Sequence, residues 1–207
     1  MTDLFGLSVA FLIQLFILVD PVAGVPVFLS ITAGNSPEQR RQMARRGCVV
    51  AFGTVVFFLL TGSVLTAYFG ITPPAVRICG GILLFFIGLD MLHGRTRGTE
   101  SSARERRLAE EKEDVSITPL AIPLLAGPGA IATVLIFAEK ADALIEYASL
   151  LALTALVFAI TNLFLQKAER IMRLIGPLGA TVLSRVMGLV LTFLAVQYVL
   201  DGLTAVW

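Results

Sequence analysis

One carboxylate stands inside a long apolar run, in "LVDPVAGVPVFLS". Asp20 is followed there by Pro21, Ala23, Gly24 and Pro26. A charge at that depth is costly in hydrocarbon and marks function by default. It can hold an ammonium, a proton or a metal cation. Asp before Pro is also a common helix start, with the side chain capping the N–H groups of Ala23 or Gly24. Proline lacks an N–H, so the carbonyl four residues earlier loses its helical donor. Pro21 and Pro26 thereby free the carbonyls of Ile17 and Val22. A second interruption stands in "IPLLAGPGAIATV", where Pro123 and Pro128 free those of Pro119 and Leu124. Helix N-termini restarting after such breaks present N–H groups and a positive dipole end, which suit a carboxylate. Freed carbonyls suit an ammonium. The combination describes a site for a small zwitterion, built from Asp20, Pro21, Ala23, Gly24, Gly127, Pro128, Gly129, Ala130 and Thr133. Asp20 is also the candidate holder of a coupling ion, a proton or Na⁺.

The elements that must position these residues are membrane helices. The chain has 207 residues, of which 57% are hydrophobic and 15% charged. Soluble domains carry about a quarter charged residues. Apolar runs fall at about 4–32, 47–70, 72–92, 117–138, 144–165 and 185–206, each of bilayer-spanning length. The expected fold is all-α: six transmembrane helices, with the first and fourth broken. Residues 1–92 and 117–207 form two halves of three spans, joined by the charged linker 93–116. Arg40, Arg41, Arg45 and Arg46 lie in the first connection. Arg95, Arg97, Arg104, Arg106, Arg107 and Lys112 lie in the third. Lys167, Arg170, Arg173 and Arg185 precede the last span. Only Arg77 and Lys140 fall on the opposite side. The positive-inside rule puts the odd connections in the cytoplasm and both termini outside it.

The halves resemble each other. "RICGGILLF" from Arg77 matches "RVMGLVLTF" from Arg185 at an offset of 108, and Pro21 matches Pro128 at 107. A repeat of three spans must be inverted. Inverted repeats with helices broken at corresponding positions are the pattern of secondary transporters, whose sites lie at the breaks near the bilayer midplane.

Other chemistries fare worse. Net charge is +1, which gives no basis for nucleic-acid binding. Cys48 and Cys79 lack metal or redox spacing and read as buried bystanders. His93 is the only histidine and adjoins the charged linker, so neither a metal site nor a cofactor is expected. Asp20 and Asp90 invite comparison with an intramembrane aspartyl protease. Asp90 and Asp201 lie near span ends, however, and no enzyme activity is expected. Thr118, Thr133, Asn162 and Gln197 are polar residues in apolar runs. Thr133 closely follows a break and is preferred as a cavity-lining residue. Arg77 and Arg185 are expected to snorkel at opposite faces.

The blocks "VDPVAGVPVFLSIT", "RICGGILLFFIGLDML", "ITPLAIPLLAGPGAIATVL" and "IMRLIGPLGATVLSRVMGLVLTFLAVQYVLDGL" together resemble the MarC family of bacterial and archaeal inner-membrane proteins. The resemblance covers nearly the whole chain outside the charged linker. It implies a likeness to LysE-type exporters and, from some members, transport of small neutral amino acids such as glycine and alanine. The family's Asn/Asp-Pro motif falls on Asp20 and Pro21, and its Ala-Gly-Pro-Gly motif on Ala126 to Gly129. Ala23 stands where members often have glycine, two residues after the first proline. The expected ligand is therefore a small neutral amino acid, in a protein embedded in the lipid bilayer of the inner membrane. Homo-oligomerisation is left open. The rival reading is a non-transporting membrane regulator or efflux component.

Overall fold

The computed structural model describes residues 4–94, 125–141 and 143–206. These residues form helices and connecting turns, with no strand among them. In chain order they are α1 (Leu4–Val19), α2 (Pro21–Ile31), α3 (Pro37–Tyr68), α4 (Pro73–Leu92), α5 (Pro128–Lys140), α6 (Leu144–Gln166) and α7 (Ala168–Thr204). Four of them, α2 to α5, begin on a proline. At the first helical position the missing N–H has no intrahelical partner to lose, and the ring presets φ for the helix. Prolines that read as breakers in the sequence thus act chiefly as starters. The start of α3 is further fixed by a capping box. Ser36 Oγ accepts from the Gln39 N–H, and Gln39 Oε1 accepts from the Ser36 N–H.

Five segments are long and apolar enough to cross a membrane: Leu4–Ile31, Pro37–Tyr68, Pro73–Leu92, Leu144–Gln166 and Ala168–Thr204. The fourth expected run is represented by the 13-residue α5, while residues 117–124 and most of the linker lie outside the described residues. The last helix differs from expectation. It begins at Ala168 and bends at Gly176, whose φ of 68° suits glycine, just before Pro177. Arg185 therefore lies within a helix rather than in a connection. Cys48 is buried, but Cys79 is exposed on α4, which corrects the expectation that both are buried. Many large apolar side chains, such as Phe5, Phe57, Leu178 and Phe193, face outward. That arrangement is stable against lipid tails and costly in water.

The tightest helix pair is α4 with α7. Small residues make it so. A Cβ added at Gly81 would come within 2.7 Å of the Ala195 carbonyl, and one at Gly202 within 3.0 Å of the Pro74 carbonyl. At Gly88 and Gly188 an added Cβ would meet the other glycine's carbonyl at 2.9 Å. Pro74, Gly81 and Gly88 thus face Gly202, Ala195 and Gly188, a seven-residue step on each strand of an antiparallel pair. Close backbone approach through small residues supplies dispersion contact where no hydrophobic force acts between helices.

Candidate functional site

The first break is at Asp20. Its φ of 41° and ψ of 69° are left-handed, the only positive φ of a non-glycine among the described residues. Holding a non-glycine there costs about 1–2 kcal/mol. The break is stabilised by what the side chain does. Oδ1 accepts the Ala23 N–H at 3.1 Å, and Oδ2 accepts the Ser184 hydroxyl of α7 at 2.5 Å. Asp20 is thus both N-cap of α2 and a tie to the opposite half, and it is 9% exposed. The backbone is continuous on either side: the Asp20 N–H donates to Phe16 and its carbonyl accepts from Gly24, both at 3.0 Å. Pro26 causes no second interruption, because it lies inside α2. The expected break from Asp20 to Pro26 contracts to one residue.

The second break is at Gly127. Its backbone is extended, and α5 begins at Pro128. Ile131 is the first residue whose N–H reaches back, to the Gly127 carbonyl at 3.2 Å. Gly127 has no side chain with which to cap this end. Gly129 and Ala130, whose N–H groups occupy the first turn, are buried, whereas Pro128 is exposed.

Two contacts set how these breaks lie relative to each other. Gln14 Nε2 of α1 donates to Thr133 Oγ1 of α5 at 3.1 Å. The rings of Phe11 and Phe137 meet edge to face at 5.2 Å. Moving forward along α1 from Phe11 to Gln14 corresponds to moving backward along α5 from Phe137 to Thr133, so the helices are antiparallel. Six residues beyond Gln14 is Asp20, and six residues before Thr133 is Gly127. At 1.5 Å of rise per residue, both breaks lie about 9 Å from the Gln14–Thr133 bond. The register makes them level.

Of the expected site residues, Asp20, Pro21, Gly24, Gly127, Gly129, Ala130 and Thr133 are buried, and Ala23 is half-buried. Three important residues escaped sequence reasoning. Ser184 fell just outside the expected last span. Gln14 is an amide in an apolar run, the criterion already applied to Gln197. Tyr198 donates to Gln14 Oε1 at 2.6 Å and is buried. Gln197, by contrast, is exposed and bonds Asp201. Asn162 bonds Gln166, Asp90 is exposed, and Thr118 lies outside the described residues. Arg77 does not simply snorkel: it forms an ion pair with Glu139 at 2.5 Å.

A bundle of long apolar helices, the first hydrophobic run interrupted at Asp20, defines a polytopic helical membrane protein. The chain belongs to the MarC family of integral membrane proteins, whose family model matches residues 5–207. It is 37% identical over 193 residues to a UPF0056 membrane protein of Archaeoglobus fulgidus, covering 91% of this chain and 88% of that one. It is 34% identical over 201 residues to the UPF0056 membrane protein YvbG of Bacillus subtilis, covering 97% and 95%. With the UPF0056 inner membrane protein YhgN of Escherichia coli it shares 30% identity over 191 residues, covering 92% and 93%. No solved structure matches the chain significantly.

Proposed function

We propose that this protein is a secondary transporter of small neutral amino acids, glycine or alanine, working by alternating access. The observation that carries this reading is the register that levels the Asp20 break with the Gly127 break. One break carries a carboxylate, which suits an ammonium. The other lies at the N-terminus of α5, whose N–H groups and positive dipole end suit a carboxylate. Gly129, Ala130 and Ala23 leave room for a small side chain. Asp20 is the residue through which a proton or Na⁺ would couple.

The proposal includes six spans in a 3+3 inverted repeat, with the 117–138 run as the fourth. Two correspondences at an offset of 107 support it. Pro21 and Pro128 start α2 and α5. The glycine pair Gly81 and Gly88 of α4 corresponds to Gly188 and Ala195 of α7. Orientation with both termini outside the cytoplasm of an inner membrane completes the reading.

Two ion pairs tie the halves together. Arg40 meets Glu169 at 2.7 Å, and Arg77 meets Glu139 at 2.5 Å. Each pair joins residues that the expected topology puts on one face, the first cytoplasmic and the second external. With both formed, the halves are tied at both faces. Rocking would open one pair at a time.

The test is uptake of labelled alanine or glycine by the purified protein in liposomes, under imposed proton or Na⁺ gradients. Uptake above protein-free liposomes is expected. Its absence under both gradients would favour the non-transporting regulator.

A further inference from the structure

Gln14 is 1% exposed, and Thr133 is fully buried. An amide in such surroundings is costly unless its polar atoms are bonded. Here it bonds on both sides: Oε1 to the Tyr198 hydroxyl of α7 and Nε2 to the Thr133 hydroxyl of α5. One side chain therefore joins three helices: the one that leads into the Asp20 break, the one that leaves the Gly127 break, and the one that bears Ser184. Tyr198 is held in turn. Its neighbour Val199 packs against Gly81 at the α4–α7 contact, and the Lys140 ammonium sits 5.1 Å from the centre of its ring. The fixed end of the network is thus the tight α4–α7 pair, and its adjustable end is the register of α1 on α5.

We propose that Gln14 is a positioning residue that sets the level of the two breaks against each other, with Tyr198 orienting its amide and Thr133 receiving it. The inference rests on the transporter reading for its functional consequence. A zwitterion bridges two charged ends, so sliding one break along the other weakens the grip on both ends together. Removing the amide raises KM and leaves kcat near its parent value, because the residue touches neither end of the substrate itself.

The variants are Gln14→Leu, which removes both bonds, and Gln14→Asn, which keeps the amide but shortens its reach. Thr133→Val keeps the shape and removes the hydroxyl, and Thr133→Ser keeps the hydroxyl. Two readouts on protein in liposomes are compared: alanine uptake kinetics, and amide hydrogen exchange by mass spectrometry. Gln14→Leu, Gln14→Asn and Thr133→Val are expected to raise KM about tenfold, the scale of one buried hydrogen bond. Thr133→Ser, which keeps the hydroxyl, should loosen the breaks less than Thr133→Val in hydrogen exchange. Exchange should rise at residues 22–25 and 129–131 while α4 and α7 keep their protection. Unchanged exchange at the two breaks overturns the proposal, as does an unchanged KM in a transporting variant with loosened breaks. If Gln14→Leu fails to fold, Thr133→Val decides by the same criteria. If the parent transports neither alanine nor glycine, the transporter reading fails, and the exchange pattern alone decides whether Gln14 sets the breaks.

Discussion

The two breaks in this bundle solve the same problem by opposite means. At Asp20 the interruption is filled from within: a strained backbone is held by a carboxylate that takes one N–H of the next helix and one hydroxyl of α7. At Gly127 the backbone is relaxed, and the residue has no side chain with which to cap the helix that begins at Pro128. The first break is an acceptor with partners in place. The second lies at a helix N-terminus, whose N–H groups are donors. The difference teaches that matched prolines need not make matched sites, and a complementary pair is what the proposed zwitterion requires.

The comparison can be broken most severely at the open side. Gly129→Leu places a branched side chain in the buried first turn of α5. Alanine uptake should be abolished. Overpacking costs about 1–3 kcal/mol, so a thermal melt should show a lowered but folded transition. Asp20→Ala attacks the filled side. It removes the cap of α2, worth about 0.5–2 kcal/mol, and strands the Ser184 hydroxyl. Uptake should fall more than tenfold, about 1.4 kcal/mol or more of lost binding, while the melt shifts only by the cap energy. Asp20→Asn keeps an acceptor for the Ala23 N–H, and its NH2 can donate to the Ser184 oxygen once that hydroxyl rotates. If it melts like the parent but loses gradient-driven uptake, the carboxylate has a coupling role beyond capping.

Smaller effects probe what holds the breaks in place. Gly88→Ala pushes a methyl against the Gly188 carbonyl and the Thr192 hydroxyl. It should destabilise by about 1–3 kcal/mol, whereas Gly53→Ala, where nothing lies within 4 Å, should not. The ion pairs differ in exposure. Glu169 is 65% exposed and Glu139 only 20%. Glu139→Gln should therefore alter the ratio of outward to inward cysteine accessibility more than Glu169→Gln, whose exposed pair is worth about 0–1 kcal/mol. The reversed double variant Arg77→Glu with Glu139→Arg should restore the parent ratio.

Much of this was legible in sequence because membrane physics leaves few choices. Apolar length marked five of the six expected spans, and an acid before a proline marked the first break, which was expected to run on to Pro26. Gly127–Pro128 gave the second. Other features depend on contacts that no local pattern reports. Ser184 reaches Asp20 only through the α2–α7 packing. Gln14 and Tyr198 are polar residues whose inward facing is set by neighbouring helices, and Gln197, one residue away, faces outward. The glycine spacing of α4 and α7 was visible, but the alignment at an offset of 108 hid its seven-residue pairing, which emerges at 107. The helical segments from Ala168 up to the Gly176 bend and from there through Arg185 were masked by charge, since a basic stretch reads as a connection even when it is helical.

The central claim is that the two breaks form one site. Equilibrium binding of labelled alanine to the purified protein, to Asp20→Ala and to Gly129→Leu tests it most directly. The parent should bind, and each variant should lose at least about tenfold in affinity while remaining folded. A parent that does not bind, or variants that bind as it does, would contradict the claim.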